Sequence, residues 1–376
     1  MKENYKRVKT MNKKKRIALL DWDMTVTGGA EAVAASLTRT LCRDYDIYFI
    51  TLFQKNGSLA YDLSDAKDVF CLDSKKSRLR SIMWEIKRPM RKYLKHNSID
   101  AVLLIGNYPG YVSIPSMIFN KTTFIYCDHG ALINQIHERA ITAIRFLTSL
   151  FADRTVVLTD KTRNDYIKYF HISPKRVLTI HNWVDDRVLE NAACCDLDAK
   201  KVLSVGRFGK EKGYDLMISA AERFLPSHPD WQWDVYGTGE TFDEIKRLVG
   251  QKGLEGQLHL MGNNPEVLSL YRKYSVFVLP SYREGLPLVL LEAKANKLPI
   301  VSFDIDTGPC EMVEDGVNGF LVEPYDTEKM AQRLSQLADD KALRKRFSDE
   351  ACRKMDKFDK QEIERQWTEL IDGITK

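Results

Sequence analysis

Short apolar runs rich in branched side chains alternate with helical patterns along most of this chain, and that alternation leaves few folds open. The first series of candidate strands is Arg16–Asp21, Ile47–Leu52, Ala101–Ile105, Thr122–Cys127, Thr155–Leu158 and Val177–Ile180. The second is Val202–Val205, Gln232–Tyr236, Gln257–Met261, Val276–Leu279, Ile300–Phe303 and Phe320–Val322. Runs this apolar, with helices between them, describe parallel strands covered on both faces. Two successive series imply two doubly wound α/β units facing across a cleft, with ligands expected outside the strand carboxyl ends. The pattern breaks between Val184 and Lys200. The expected organisation is therefore a first domain over 1–185, a linker over 186–199, a second domain over 200–355, and a closing helical segment over 356–376. That last segment carries Trp367 and is expected to pack back on the first domain.

Composition narrows the class further. With 44% hydrophobic and 29% charged residues, a disordered chain and a coiled coil are excluded. No stretch approaches the roughly 18 apolar residues that cross a bilayer. The basic start, Met1–Arg16, leads only into Ile17–Leu20, too short for a secretory signal. The seven cysteines form no CxxC pair, so reduced thiols in a cytoplasmic enzyme are expected and a zinc site is not.

Charge is divided between the halves. Residues 1–185 hold 30 Lys/Arg against 18 Asp/Glu, whereas residues 186–376 hold 27 against 34, so the first half is expected to face something anionic. The excess peaks over Lys75–His96, where Leu79, Ile82, Met83, Ile86, Met90, Tyr93 and Leu94 recur at helical spacing and Arg80, Lys87, Arg88, Arg91, Lys92 and Lys95 take the other face. Pro89 is expected to kink or restart this helix. A basic amphipathic helix reads either as a surface helix packed on its own domain or as an element drawn to anionic lipid, and the two are compatible. Nucleic acid is disfavoured, because no RNP, helix-turn-helix or zinc-finger pattern accompanies the charge.

Four segments carry candidate chemistry. In Val205-Gly-Arg-Phe-Gly-Lys-Glu-Lys-Gly-Tyr214, Arg207 and Lys212 lie in a strand-to-helix loop suited to a diphosphate, although a solvated basic loop would look similar. In Ser281-Tyr-Arg-Glu-Gly-Leu-Pro-Leu-Val-Leu-Leu-Glu-Ala293, Glu284 lies in a loop over the cleft, with free backbone N–H groups expected around Gly285 and Leu286. Glu292 sits among leucines on the following helix, where burial demands a partner: a ribose diol or a structural arginine. Thr27-Gly-Gly-Ala-Glu31 permits close ligand approach at Gly29. His129, in Cys127-Asp-His-Gly130, is a candidate hydrogen-bond donor in the cleft or a structural histidine. GxGxxG, HExxH, GxSxG and P-loop patterns are lacking, and neither Asp21-Trp-Asp23 nor Asp304-Ile-Asp306 makes a persuasive metal site.

These segments resemble family 4 of the retaining glycosyltransferases, which have the GT-B fold of two Rossmann-like domains. The resemblance is strong over Lys201–Val322 and continuous over Ile17–Asp185. It rests on Gly206–Gly213, the Glu284/Glu292 pair, Thr307-Gly-Pro-Cys-Glu311, Asp315–Val322, Gly28–Glu31 and Ile180–Asp185. It departs at His129, which follows Asp128 where many members have histidine before an acidic residue, and at Cys310, where a smaller residue is usual.

The resemblance implies that Arg207 and Lys212 hold the donor diphosphate, that Glu292 binds the ribose, and that Glu284 contacts the donor sugar with Gly285 and Leu286 beside it. Gly206 would belong to the same donor loop, and Met261, Gly262 and Asn263 would flank the base. Gly29 and His129 would face these residues from the first domain. The implied reaction is retaining, needs no metal or other cofactor, and moves a hexose or N-acetylhexosamine from a nucleoside-diphosphate sugar. Uridine is the base expected from family frequency, and the acceptor a lipid-linked or growing cell-surface glycan. With the basic helix read from the charge pattern, the expected location is the cytoplasm, peripheral on the inner membrane face through Lys75–Lys95. A non-catalytic GT-B subunit and a nucleotide-sugar epimerase are the alternatives.

Overall fold

The computed structural model describes residues 14–374, so the basic segment Met1–Lys13 lies outside the described residues. Two all-parallel sheets form the frame. The first comprises β1 (Arg16–Asp23), β2 (Asp46–Phe53), β3 (Asp68–Cys71), β4 (Ala101–Ile105), β5 (Thr123–Asp128), β6 (Arg154–Val157) and β7 (Val177–Thr179), in the order β3-β2-β1-β4-β5-β6-β7. The second comprises β8 (Lys201–Val205), β9 (Gln232–Tyr236), β10 (Leu258–Gly262), β11 (Val276–Leu279), β12 (Ile300–Phe303) and β13 (Gly319–Val322), in the order β10-β9-β8-β11-β12-β13. In each, the strand order reverses direction beside the first strand of the series, which is where α/β sheets open a ligand crevice.

Burial explains the pattern. Every residue of β4, β11 and β12 is buried, as strands sandwiched between helices must be. All twelve expected strands are present, and β3 is an addition. Asp68-Val-Phe-Cys71 is a half-exposed strand that, among the described residues, pairs only with β2 at the sheet edge, so it lacks the apolar signature of an inner strand.

The helix α1 (Gly29–Leu41) follows β1 and turns Val33, Ala34, Leu37 and Leu41 inward. The helix α2 (Leu79–His96) buries Ile82, Ile86, Met90, Tyr93 and Leu94, as its periodicity indicates. It runs through Pro89 and does not restart there; Pro89 lies on the exposed side, away from the core stripe. The stretch between the sheets is less open than expected, since Asp186–Asn191 forms a short helix capped by the Asp185 carboxylate, which accepts from the Arg187 N–H at 3.0 Å. After the second sheet the chain returns. The Lys360–Ile374 helix buries Ile363, Trp367, Leu370 and Ile371 against Ile17, Val33 and Trp183 of the first lobe.

Candidate active site

The second lobe supplies a cationic loop. β8 ends at Val205, and the loop that follows is pinned where Gly213 crosses β11: its φ is +63°, and a Cβ there would lie 2.1 Å from the Pro280 carbonyl oxygen. Only glycine fits. That crossing brings the β8 and β11 loops together. Lys212 Nζ lies 2.8 and 3.0 Å from the two carboxylate oxygens of Glu284, and Ser281 Oγ donates to Glu284 Oε1 at 2.6 Å. Arg207 pairs with Glu211 at 2.8 Å and is largely exposed, a position from which a ligand can claim it. Gly206 underlies the loop, its carbonyl accepting from the Tyr214 hydroxyl at 3.0 Å.

Glu292 sits one turn into the Leu288–Ala295 helix, half-buried. The Tyr271 hydroxyl donates to its Oε2 at 2.5 Å. Burial raises its pKa; that hydrogen bond and the nearby Arg187 charge oppose the rise, and Asp185 adds to it. The carboxylate lines a cavity with Ala32, Val33, Arg187, Leu268 and Leu288, so both lobes contribute walls. Met261 and Gly262 end β10, where Gly237 N–H donates to the Gly262 carbonyl at 2.8 Å; Met261 is exposed, and Asn263 follows it in the adjoining loop.

From the first lobe, the Tyr61 hydroxyl accepts from Gly28 N–H at 3.1 Å and donates to its carbonyl at 3.0 Å, fixing the turn before Gly29. A Cβ on Gly29 would meet Leu288 of the opposite lobe at 4.0 Å. Arg207 lies close enough to Glu31 to counter the upward shift that burial imposes on that carboxyl. The exposed cation therefore faces the gap between the lobes.

His129 is placed differently from its expected role as a cleft donor. Its backbone meets the second lobe: a Cβ on Gly285 would lie 2.3 Å from the His129 carbonyl oxygen. Its Nε2 is buried without a hydrogen-bond partner among the described residues, and the ring lines a small cavity with Val33, His181, Trp183 and Trp367. Burial pushes its pKa down to about 4, only partly offset by Asp128, so the imidazole is neutral near pH 7. Leu286 is likewise a core residue of the second lobe, leaving its backbone as its contribution to the loop.

Several supporting residues escaped the sequence reading. Asn134 Nδ2 and Thr307 Oγ1 both donate to the Glu284 carbonyl, at 3.0 and 2.6 Å. Beneath His129, buried Arg145 lies 3.3 Å from Asp128 and donates to the Ala131 carbonyl at 2.9 Å, while Tyr166 donates to Asp128 at 2.6 Å. Local spacing marks Ser281, three residues before Glu284; Tyr271, Asn134 and Arg145 come from distant elements and carry no such mark. Among the described residues, no group of three or more His, Cys, Asp or Glu side chains could hold a metal ion.

Comparison with known proteins agrees with this arrangement. Two family models match in tandem: Glycosyltransferase Family 4 over residues 27–188, and Glycosyl transferases group 1 over residues 194–354. A Campylobacter jejuni N-acetylgalactosamine-N,N'-diacetylbacillosaminyl-diphospho-undecaprenol 4-alpha-N-acetylgalactosaminyltransferase is 28% identical over 92% of this chain and 97% of its own length. The amylovoran biosynthesis glycosyltransferase AmsD of Erwinia amylovora is 26% identical over 95% and 99%. Among solved structures, Staphylococcus aureus TarM, in a complex that includes UDP, superposes with a TM-score of 0.79 at 17% identity, covering 95% of this chain and 100% of its own. Anabaena HepE with UDP and glucose gives 0.78 at 16% identity, covering 96% and 100%. With two doubly wound lobes, their strand carboxyl ends meeting at a cationic loop, and a family model matching each lobe, the chain belongs to glycosyltransferase family 4 and has the GT-B fold.

Proposed function

We propose that this glycosyltransferase moves a hexose or N-acetylhexosamine from a UDP-linked donor to a lipid-linked or growing cell-surface glycan, with retention of anomeric configuration and without a metal ion. One observation carries the donor half of this reading. Lys212 and Arg207, beside the gap between the lobes, are paired with glutamates 2.8 Å away that a diphosphate can replace as partners. Cations held ready in a partly dry loop, with little rearrangement to make, are what a leaving group that gains charge requires. The acceptor half is supported by the relatives: the Campylobacter enzyme is named for a diphospho-undecaprenol substrate, and AmsD for amylovoran biosynthesis.

In this mechanism the glycosyl C–O bond to the diphosphate lengthens first. Arg207 and Lys212 stabilise the negative charge that builds on the departing phosphate. The acceptor hydroxyl forms the new C–O bond from the same face, and its proton passes to the departing phosphate oxygen. Glu292, already a hydrogen-bond acceptor for Tyr271, takes the ribose hydroxyls. Glu284 is held by Lys212 and Ser281 and orients sugar hydroxyls rather than attacking the anomeric carbon. His129 contributes through its backbone, which abuts Gly285 beside Glu284. Closure of the lobes excludes water and limits donor hydrolysis.

The test is nucleoside diphosphate release by the full chain from a panel of nucleotide sugars, with polyprenyl-linked acceptors and with chelator present. Acceptor-dependent UDP release that survives chelation, with an α-linked product from an α-linked donor by NMR, is expected. Arg207→Ala should lower the rate at least tenfold, and more if the contact equals an oxyanion-hole donor, where about 100-fold is typical. Unchanged turnover in Arg207→Ala overturns the donor assignment. Sugar conversion without acceptor points to an epimerase, and failure to bind any nucleoside diphosphate to a non-catalytic subunit.

A further inference from the structure

The helix α2 turns Ile82, Ile86, Met90, Tyr93 and Leu94 into the first lobe, yet a tryptophan stands on its opposite side. Trp84 is 63% exposed. At 3.6 residues per turn, Trp84, Arg88, Arg91 and Lys95 recur at i, i+4, i+7 and i+11 and form one line down the solvent face. Arg80 and Lys87 flank Trp84, with Lys87 Nζ 5.2 Å from its ring centre. The tryptophan therefore stands mid-face among cations rather than at the edge of the core stripe.

A second aromatic belongs to the same surface. Arg91 donates to the carbonyls of Ile118 and Phe119 at 3.3 and 3.1 Å, which ties the loop after the Asn107–Met117 helix to α2. Phe119 is 95% exposed, at a positive φ of 53°. Among the described residues, none of Arg80, Lys87, Arg88, Arg91, Lys92 and Lys95 is ion-paired. The helix's single acid, Glu85, is taken up by Ser74. The face is thus strongly cationic, with two large aromatic rings standing clear of the protein.

We propose that this face is a bilayer-docking surface, in which the cations engage anionic phospholipid headgroups while Trp84 and Phe119 enter the interfacial layer. It deepens the reading above and rests on its lipid-linked acceptor. A tryptophan on a basic helix and a phenylalanine on the loop tied to it gain from the headgroup zone, where the rings leave bulk water and the cations meet anionic headgroups. Among the described residues no helix is long enough and apolar enough to cross a membrane, so this contact lies along the surface. The direction of the chain gives it a use. α2 follows the carboxyl end of β3, so Trp84, early in the helix, lies toward the cleft end of the lobe, the end that an acceptor anchored in the same bilayer would have to approach.

The experiment is co-sedimentation of the full chain with vesicles of phosphatidylcholine alone or mixed with phosphatidylglycerol, alongside soluble UDP-sugar turnover. Wild type should bind the mixed vesicles and not the neutral ones. Arg88→Ala and Lys95→Ala should each weaken binding about fivefold, the usual value of one cation at such a surface. Trp84→Ala/Phe119→Ala should abolish the binding that remains at high salt, and the blue shift of tryptophan emission on vesicle addition should vanish in Trp84→Phe. No binding to mixed vesicles, or equal binding by the aromatic double variant, overturns the proposal. So does retention on polyglutamate or heparin without vesicle binding, which would assign the face to an anionic polymer. Unchanged soluble turnover in these variants separates failure of docking from failure of the transferase reading.

Discussion

Asp21, at the carboxyl end of β1, is 2% exposed, and burial, with the Glu31 charge second, lifts its pKa to about 7. The unfolded chain releases this proton near pH 4, so between about pH 4 and 7 the folded state holds a proton that the unfolded state lacks. Stability therefore falls as pH rises through that window. Asp21→Asn should flatten the decline, as measured by urea unfolding at pH 5 and pH 8; a variant with the wild-type slope would refute the assignment. At Gly213, alanine must adopt φ +63° and meet a backbone oxygen at 2.1 Å. Gly213→Ala should lose about 1–3 kcal/mol of stability and separate Lys212 from Glu284, lowering donor binding as well. Glu292→Ala should weaken nucleotide binding by calorimetry without a comparable loss of fold, since Glu292 itself lines the cavity between the lobes and is only half-buried. Arg207, Lys212 and Glu284 were legible because each lies in a loop that directly follows a strand, and Glu292 because it is a carboxylate set among leucines. His129 was not, because only packing shows that its carbonyl, rather than its imidazole, meets the opposite lobe.

A buried ion pair beneath the β5 loop decides how that loop is presented. Arg145, on the Arg139–Phe151 helix, holds Asp128 and the carbonyl of Ala131, and donates to the Gln135 side chain at 2.9 Å. The same loop carries Asn134 to the Glu284 carbonyl. Arg145→Ala strands a buried carboxylate and should cost about 3–5 kcal/mol, read as a lower thermal midpoint. Arg145→Lys keeps the charge but loses the fork, so its loss should fall more on donor-dependent turnover than on stability. No spacing rule exposes this pair, because its members lie on a strand and a helix that meet only through the fold. The same holds for β3, whose half-exposed residues resemble a loop until β2 pairs with them. Inner strands and the α2 stripe were readable because burial on two faces, or on one, leaves a periodic trace in the residues themselves.

Between the lobes, apolar packing of Leu288 on the first-lobe core and the hydrogen bond from Asn134 to the Glu284 carbonyl are joined by exposed ion pairs. Lys161 pairs with Asp306 at 2.6 Å and Arg283 with Glu138 at 2.8 Å, all four side chains roughly half-exposed. Exposed pairs contribute about 0–1 kcal/mol each, so salt should loosen this closure. In small-angle scattering, the radius of gyration should rise with salt in wild type. It should start higher in Lys161→Ala/Arg283→Ala, and fall on addition of nucleoside diphosphate; a radius indifferent to all three would mean that the closed arrangement is held by other contacts. The returning helix adds a different consequence. Lys15 Nζ and Asp372 Oδ1 lie 2.9 Å apart, so the segment entering β1 and the returning helix lie side by side on one lobe while the other hangs from a double tether. A protease nicking a single crossover, near Ala192 or near Lys354, would leave both pieces fastened by the second strand of peptide, and two cuts would be needed to set the second lobe adrift.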